Sequence, residues 1–174
     1  MTCPGTWRLS LVSALCGCMP AQTSLIGTPI EGYNHTSAAI HHFSVNRNGG
    51  PGIGPYGGGG KQNCCVGMPA RWRPGLKVLV EWEKDPAPHA YGGWPERRHT
   101  DEWRTRMKAH RAGYSRHSVW AEVAPYERLG VVDVHFLPCD QVAVSAAAIL
   151  PGKPGYPFGF PRRMEEALSP CPVP

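Results

Sequence analysis

Alternation of apolar and polar residues is the strongest order in this chain, and it comes in short runs. Leu76–Glu83 is the cleanest. Leu76, Val78, Val80 and Trp82 fall on one side, while Lys77, Glu81 and Glu83 face the other way, the period of a half-buried strand. Thr36–Asn46 alternates as well, with Ala38, Ile40, His42 and Ser44 on one face and Ala39, His41, Phe43 and Val45 on the other. Ser118–Ala124 and Gly130–Leu137 predict two more strands, joined at Pro125-Tyr126-Glu127-Arg128. Val142–Leu150 predicts another, although Ala146–Ala148 would also allow a helical turn. Between Pro95 and Ala112 the pattern changes. Trp103 and Met107 stand four apart among charges, which predicts an amphipathic helix starting near Thr100 or Asp101 and ending before Gly113. Many short strands at close spacing predict a mainly β, α+β fold: a compact antiparallel sandwich or open barrel with one inserted amphipathic helix. There is no internal repeat.

Asn46–Leu76 interrupts this alternation. It is rich in glycine and proline, reaches four consecutive glycines at Gly57–Gly60, and then gives Cys64-Cys65 and the Trp72-Arg73-Pro74-Gly75 corner. Glycine permits positive φ and close backbone approach, so Gly57–Gly60 predicts a tight, exposed loop. A hairpin needs only about two to five connecting residues, so Gly49–Gly60 is longer than turn geometry requires. The expected role is a partner-binding surface of Tyr56, Gly57, Gly58, Gly59 and Gly60, with Trp72 and Trp94 nearby; tyrosine is a favoured interface anchor. The competing reading is a spacer, or a flap that covers Trp72 and Trp82.

With 174 residues the chain has room for one sizeable core, and 41% hydrophobic residues are enough to fill it. Gly 21 and Pro 19 favour turns over long helices. The net charge of +5 is modest and concentrates at Arg97, Arg98, Arg104, Arg106, Lys108 and Arg111. That cluster reads as a solvated helix face, or as attraction to an acidic partner or anionic lipid. Nucleic-acid binding would need a basic groove with interleaved stacking aromatics, and none is evident.

The N-terminus carries a targeting pattern. Leu9–Leu15 is an apolar segment after a single Arg8, too short to span a bilayer but suited to a signal peptide. Leu15-Cys16-Gly17-Cys18 resembles the bacterial lipobox, which implies cleavage after Gly17 and lipid attachment to Cys18. The alternative is a plain secretory signal cut near Ala21. The expected organisation is a lipoprotein signal at 1–17, a tether at 18–24, one β-rich domain at 25–150 and a proline-rich tail at 151–174. A lipid anchor would then hold the protein at the membrane. Met19, where an aspartate usually retains lipoproteins at the inner membrane, leans towards the outer membrane.

Candidate chemistry is sparse. With Cys3 and Cys16 removed and Cys18 acylated, Cys64, Cys65, Cys139 and Cys171 remain, and in an oxidising compartment they are disulfide candidates. Adjacent strand residues point to opposite faces, so the favoured expectation is a bridge from Cys64 or Cys65 to Cys139 or Cys171, with a Cys64–Cys65 bridge as the minor alternative. Zinc would call for Cys-x-x-Cys or His-x-x-His spacing, which does not accompany the pair. His41 and His42 on opposite faces could not chelate one ion, so no metal and no cofactor are expected. There is no Gly-x-Ser-x-Gly elbow, and the glycine run before Lys61 lacks the first glycine and the Ser/Thr of a phosphate loop.

Gly27-Thr28, Gly32–Thr36, Phe43–Asn46, Gly57–Gly60, Cys64-Cys65-Val66, Pro69, Trp72–Gly75, Trp82 and Val134–Pro138 together form a recognisable pattern. On these residues the chain resembles the bacterial lipoprotein family catalogued as domain of unknown function 3304, over roughly Leu25–Leu150. The resemblance implies no catalytic residues. Some members are similar to proteins encoded near type VI secretion lipase effectors, which implies a periplasmic immunity role. The expected function is therefore a non-catalytic, membrane-anchored protein of the bacterial cell envelope that faces the periplasm and binds a protein partner. The rival expectation is a structural envelope lipoprotein contacting peptidoglycan or an outer-membrane assembly.

Overall fold

The computed structural model describes residues 24–165 and Cys171. The expected signal segment, Cys18 and the expected tether up to residue 23 lie outside the described residues. Eight strands run in the order β1 (Leu25–Asn34), β2 (Ala39–Val45), β3 (Asn48–Gly50), β4 (Gly58–Pro69), β5 (Lys77–Asp85), β6 (Ser115–Glu122), β7 (Leu129–Phe136) and β8 (Val142–Ala147). One helix, α1 (Asp101–Arg111), lies between β5 and β6. Among the described residues the strands make two four-stranded sheets, β4-β1-β7-β8 and β3-β2-β5-β6, with no closed barrel. The mainly β sandwich expected from the alternation is what the chain forms.

The core sits between the sheets because each sheet turns one apolar face inward. Ile30, Val66, Met68, Val132, Val134 and Phe136 come from the first sheet. Ile40, Phe43, Val45, Val78, Val80 and Trp82 come from the second. Phe43 meets Phe136 edge-on, with ring centroids 5.2 Å apart. At Gly32 an added Cβ would lie 2.3 Å from Ile53 Cδ1 and 3.0 Å from Phe43, so only glycine lets β1 run under this cluster.

Four features depart from the expectation. β1 has no counterpart in the alternation, yet it is a central strand, antiparallel to β4 and parallel to β7. The sandwich is thus not wholly antiparallel. Gly58, Gly59 and Gly60 belong to strand β4 rather than to a loop, and Ile53, inside the supposed loop, is a core residue. The connection between β3 and β4 is only residues 51–57, and its C-terminal end is held by the Tyr56 N–H donating to Thr36 O at 3.0 Å and by Gly57 O accepting from the Asn34 N–H at 2.8 Å. Finally, β2 shifts register against β5 between Ile40 and His42. That bulge breaks the two-residue period, so Ile40, Phe43 and Val45 all face inward while His41 and His42 are both exposed.

The cysteines correct the expected pairing. Cys64 is joined to Cys65, and Cys139 to Cys171. Strand register explains why. The pair lies beside Gly27 and Thr28 near the start of β1, whereas Cys139 follows Phe136, which pairs with Asn34 at the other end of β1. Six or so strand residues separate the two places, about 20 Å at 3.3 Å per residue, far beyond the reach of a disulfide.

Helix α1 matches its expected place. Thr100 Oγ1 accepts from the Trp103 N–H at 3.3 Å, and Asp101 and Glu102 stand in the first turn, with Lys108, His110 and Arg111 in the last. No residue of α1 is buried. It is held to the sheet chiefly through His110, whose Nε2 lies 3.2 Å from Asp85 Oδ2, and through ring contacts of His110 with Tyr91, Trp94 and Tyr114.

Candidate functional site

At the end of the first sheet, the last residues of β1, the glycine start of β4 and the returning tail enclose a cleft of about 960 Å³. Each wall has a sequence cause. The Asn34-His35-Thr36 turn closes β1: the Asn34 amide donates to Ala38 O at 2.7 Å and to Gly54 O at 3.0 Å, and its Oδ1 accepts from Thr36 N and Oγ1. Asn34 is fully inside the fold. Gly58 adopts φ +125° and an added Cβ would lie 2.2 Å from Gly32 O; Gly59, at φ +74°, packs against the Tyr33 ring. Between Glu31↔Gln62 and Tyr33↔Gly58 the register shifts, so Gly59, Gly60 and Lys61 swell out of the ladder opposite Gly32. The third wall is the tail, where Tyr156, Phe158 and Phe160 face the cleft.

Below these aromatics runs a buried hydrogen-bonded chain. His35 Nδ1 lies 2.6 Å from Pro161 O, His35 Nε2 lies 2.9 Å from His135 Nδ1, and His135 Nε2 lies 2.7 Å from Tyr156 Oη. Tyr156 Oη is also 3.2 Å from Asp133 Oδ2. A carbonyl only accepts, so His35 Nδ1 carries a proton. The Tyr156 hydroxyl donates to Asp133 Oδ2, which ties the acid on β7 into the chain.

Burial dominates the electrostatics of this chain. Burial raises the Asp133 carboxyl to about 7, against the smaller lowering effect of Tyr156. Burial, followed by the neighbouring His35, lowers His135 to about 3. Burial, then Asp133, raises the Tyr33 and Tyr156 phenols above their usual range. Tyr33 stacks on His135 at 4.9 Å, and Phe158 and Phe160 stack on each other at 5.2 Å, so the chain is roofed by aromatic rings.

Of the residues expected to bind a partner, Tyr56, Gly57, Gly58, Gly59 and Gly60 all line this cleft. The Tyr56 carbonyl accepts from Arg162 Nε at 3.0 Å, and the Arg163 guanidinium lies 5.0 Å from the Tyr56 ring centroid. Trp72 and Trp94 are elsewhere. Trp72 follows β4 at its far end, packs against the core and donates Nε1–H to Val123 O at 2.8 Å. Trp94 sits in a separate aromatic group with Tyr91, Trp103 and His110 beside α1. Sequence reasoning did not find His35, Asp133, His135 or Tyr156 as a unit. The alternation of β7 marks Asp133 and His135 as neighbours on one face, but nothing local points to His35 or the tail. His41 and His42, expected apart, instead share an open depression with Glu81, Trp82, Glu83, Arg116 and His117 on the second sheet. Among the described residues no group of three or more His, Cys, Asp or Glu is placed to hold a metal ion.

The family model described as "Protein of unknown function (DUF3304)" matches residues 33–144. The chain belongs to this family. The matched span of DUF3304 takes in Tyr33, His35, the Tyr56–Gly60 wall, Asp133 and His135, and it ends before Tyr156, Phe158 and Phe160 of the tail. No curated protein and no solved structure matches the chain.

Proposed function

We propose that this DUF3304 member is a non-catalytic lipoprotein of the bacterial envelope, anchored through Cys18 and facing the periplasm, which binds a partner protein at the cleft beside Tyr56. The observation that carries the reading is that the cleft exposes backbone and aromatic faces, while its acid–base groups are already committed to one another. Both ring nitrogens of His35 and both of His135 have intramolecular partners. A general base needs a free lone pair within reach of substrate, and these imidazoles offer none without dismantling the tail. Gly57–Gly60, by contrast, let a partner's main chain approach closely, next to Tyr56 as an aromatic anchor. A secreted lipase effector is the partner that the family resemblance implies, which would make the protein an immunity factor.

The experiment is survival of cells that express the full chain together with a periplasm-directed lipase effector from the same gene neighbourhood. Tyr56→Ala and Arg162→Ala are expected to abolish protection and co-purification of the effector while leaving the melting temperature near that of the parent. Full protection by both variants overturns the assignment of the cleft, and absence of protection by the parent overturns the immunity role.

A further inference from the structure

Strand β6 closes one side of the second sheet, and among the described residues no strand lies along its outer edge between Ser115 and Glu122. Backbone parity defines what that edge offers. The Val123 N–H donates to Leu76 O at 2.9 Å, on the β5 side, so Val123 and the odd-numbered residues before it turn their backbone groups towards β5. Arg116, Ser118, Trp120 and Glu122 therefore turn theirs outward. The next member of that series, Ala124, donates to Val144 O at 2.9 Å, so β8 covers the edge from there on and the open part ends at Glu122. Exposed edges are usually blunted by lysine, proline or a bulge. β6 contains neither Lys nor Pro, and its pairing with β5 is unbroken from Lys77↔Glu122 to Lys84↔Ser115. It carries apolar exposure instead, with Trp120 at 63% and Val119 at 39%.

We propose that this edge pairs with the same edge of a second copy of the chain, antiparallel about a two-fold axis at Val119, joining two β3-β2-β5-β6 sheets into one. An isologous contact requires the surface to complement itself, and the order of residues meets that requirement. With the axis at Val119, Arg116 faces Glu122 of the other copy twice, Ser118 faces Trp120 twice, His117 faces Ala121 and Val119 faces itself. Outward-turned residues meet outward-turned residues throughout, giving about eight inter-strand hydrogen bonds at two per bonded pair. An axis at Ser118 or Trp120 would keep that parity but separate Arg116 from Glu122. The Val119 register also uses the open edge from end to end. Arg116 and Glu122 now hold Glu83 and Lys77 at 3.1 and 3.4 Å, in exposed pairs that yield readily to a new partner. Their main effect is to select register and orientation.

The test is cysteine cross-linking of the full chain in the cell envelope, with copper(II) phenanthroline as oxidant for the two thiols. At a non-bonded antiparallel pair the Cα atoms are about 4.5 Å apart, within reach of a disulfide. Val119→Cys is expected to give a covalent dimer on a non-reducing gel that dithiothreitol returns to monomer. Ser118→Cys and Trp120→Cys alone are each offset from their own copy and are expected to give little dimer, whereas co-expressing the two is expected to link them. Adding Arg116→Glu to Val119→Cys should abolish the dimer, and adding Glu122→Arg as well should restore it. No dimer from Val119→Cys, equal linking at all three positions, or a charge reversal without effect overturns the proposal.

Discussion

Asp133 and His135 stand two apart on β7, each 3% exposed, and their protonation pulls the fold in opposite directions. His135 falls from 6.5 to about 3, so its contribution is present above pH 6.5 and is lost as pH drops through that value towards 3. Asp133 rises from 3.8 to about 7, so the fold favours its neutral acid and loses stability as pH climbs from 3.8 to 7. Between about pH 4 and 6.5 the two slopes oppose, each roughly 1.4 kcal/mol per pH unit, and the parent should be nearly level there. Asp133→Asn removes one arm. We expect the variant to be more stable than the parent at pH 8, by on the order of 2 kcal/mol, and to lose that advantage as pH falls to 4; urea unfolding across that range measures it. A parent that weakens steeply from pH 6.5 to 4 would contradict the opposed pair. Gly58→Ala tests the wall of the cleft: with φ +125° and a clash against Gly32 O, it should cost about 2–3 kcal/mol through strain and displaced backbone. Tyr56 and Gly57–Gly60 drew notice because a glycine run beside a tyrosine announces itself locally, although the run reads as a loop and Gly58–Gly60 are strand. His35 and Tyr156 did not, since each takes its meaning from a partner 100 or 21 residues away.

Elements divide according to how much of their reason lies inside them. Helix α1 was legible because its cap, charges and Trp103–Met107 spacing are local, and it buries no residue. Its stability should be correspondingly local. Thr100→Ala is expected to cost the helix about 1 kcal/mol, seen as faster hydrogen exchange at Trp103–Met107, while the global melting temperature changes little. An equal loss of both would mean that α1 unfolds with the core. Strands β2, β5, β7 and β8 were legible from their alternation, although the bulge at His41 hid which face each β2 residue would take. β1 was not. Leu25–Asn34 contains two glycines and a proline, and its inward residues include Gly32, chosen for fit beneath Phe43 rather than for hydrophobicity. A strand selected by close approach leaves no periodic trace. The glycine start of β4 misled for the same reason, being a strand whose side chains are absent because Tyr33 and the β1 backbone occupy their space.

The whole molecule is closed by its tail. Cys139–Cys171 spans 32 residues, and the tail between them is also held by the Met164 N–H donating to His35 O at 2.8 Å. Loop-closure entropy puts such a bridge at about 4 kcal/mol in the chain-entropy model. Replacing both Cys139 and Cys171 by serine should lower stability by up to that amount, and should expose Tyr156, Phe158 and Phe160 to limited proteolysis before the sheets unfold. Cys18→Ser should abolish fatty-acid labelling and leave unprocessed precursor; normal labelling would end the anchor proposal. The position of β1 adds a constraint on timing. It is the first strand among the described residues, yet it lies between β4 and β7, and Ile30 cannot meet Val132 until nearly the whole domain has arrived. A polypeptide delivered N-terminus first must carry this central strand with one side unpaired for about a hundred residues, a state that invites aggregation. No shorter product can close the first sheet, so that half of the sandwich is finished only when its last strands, β7 and β8, have been made.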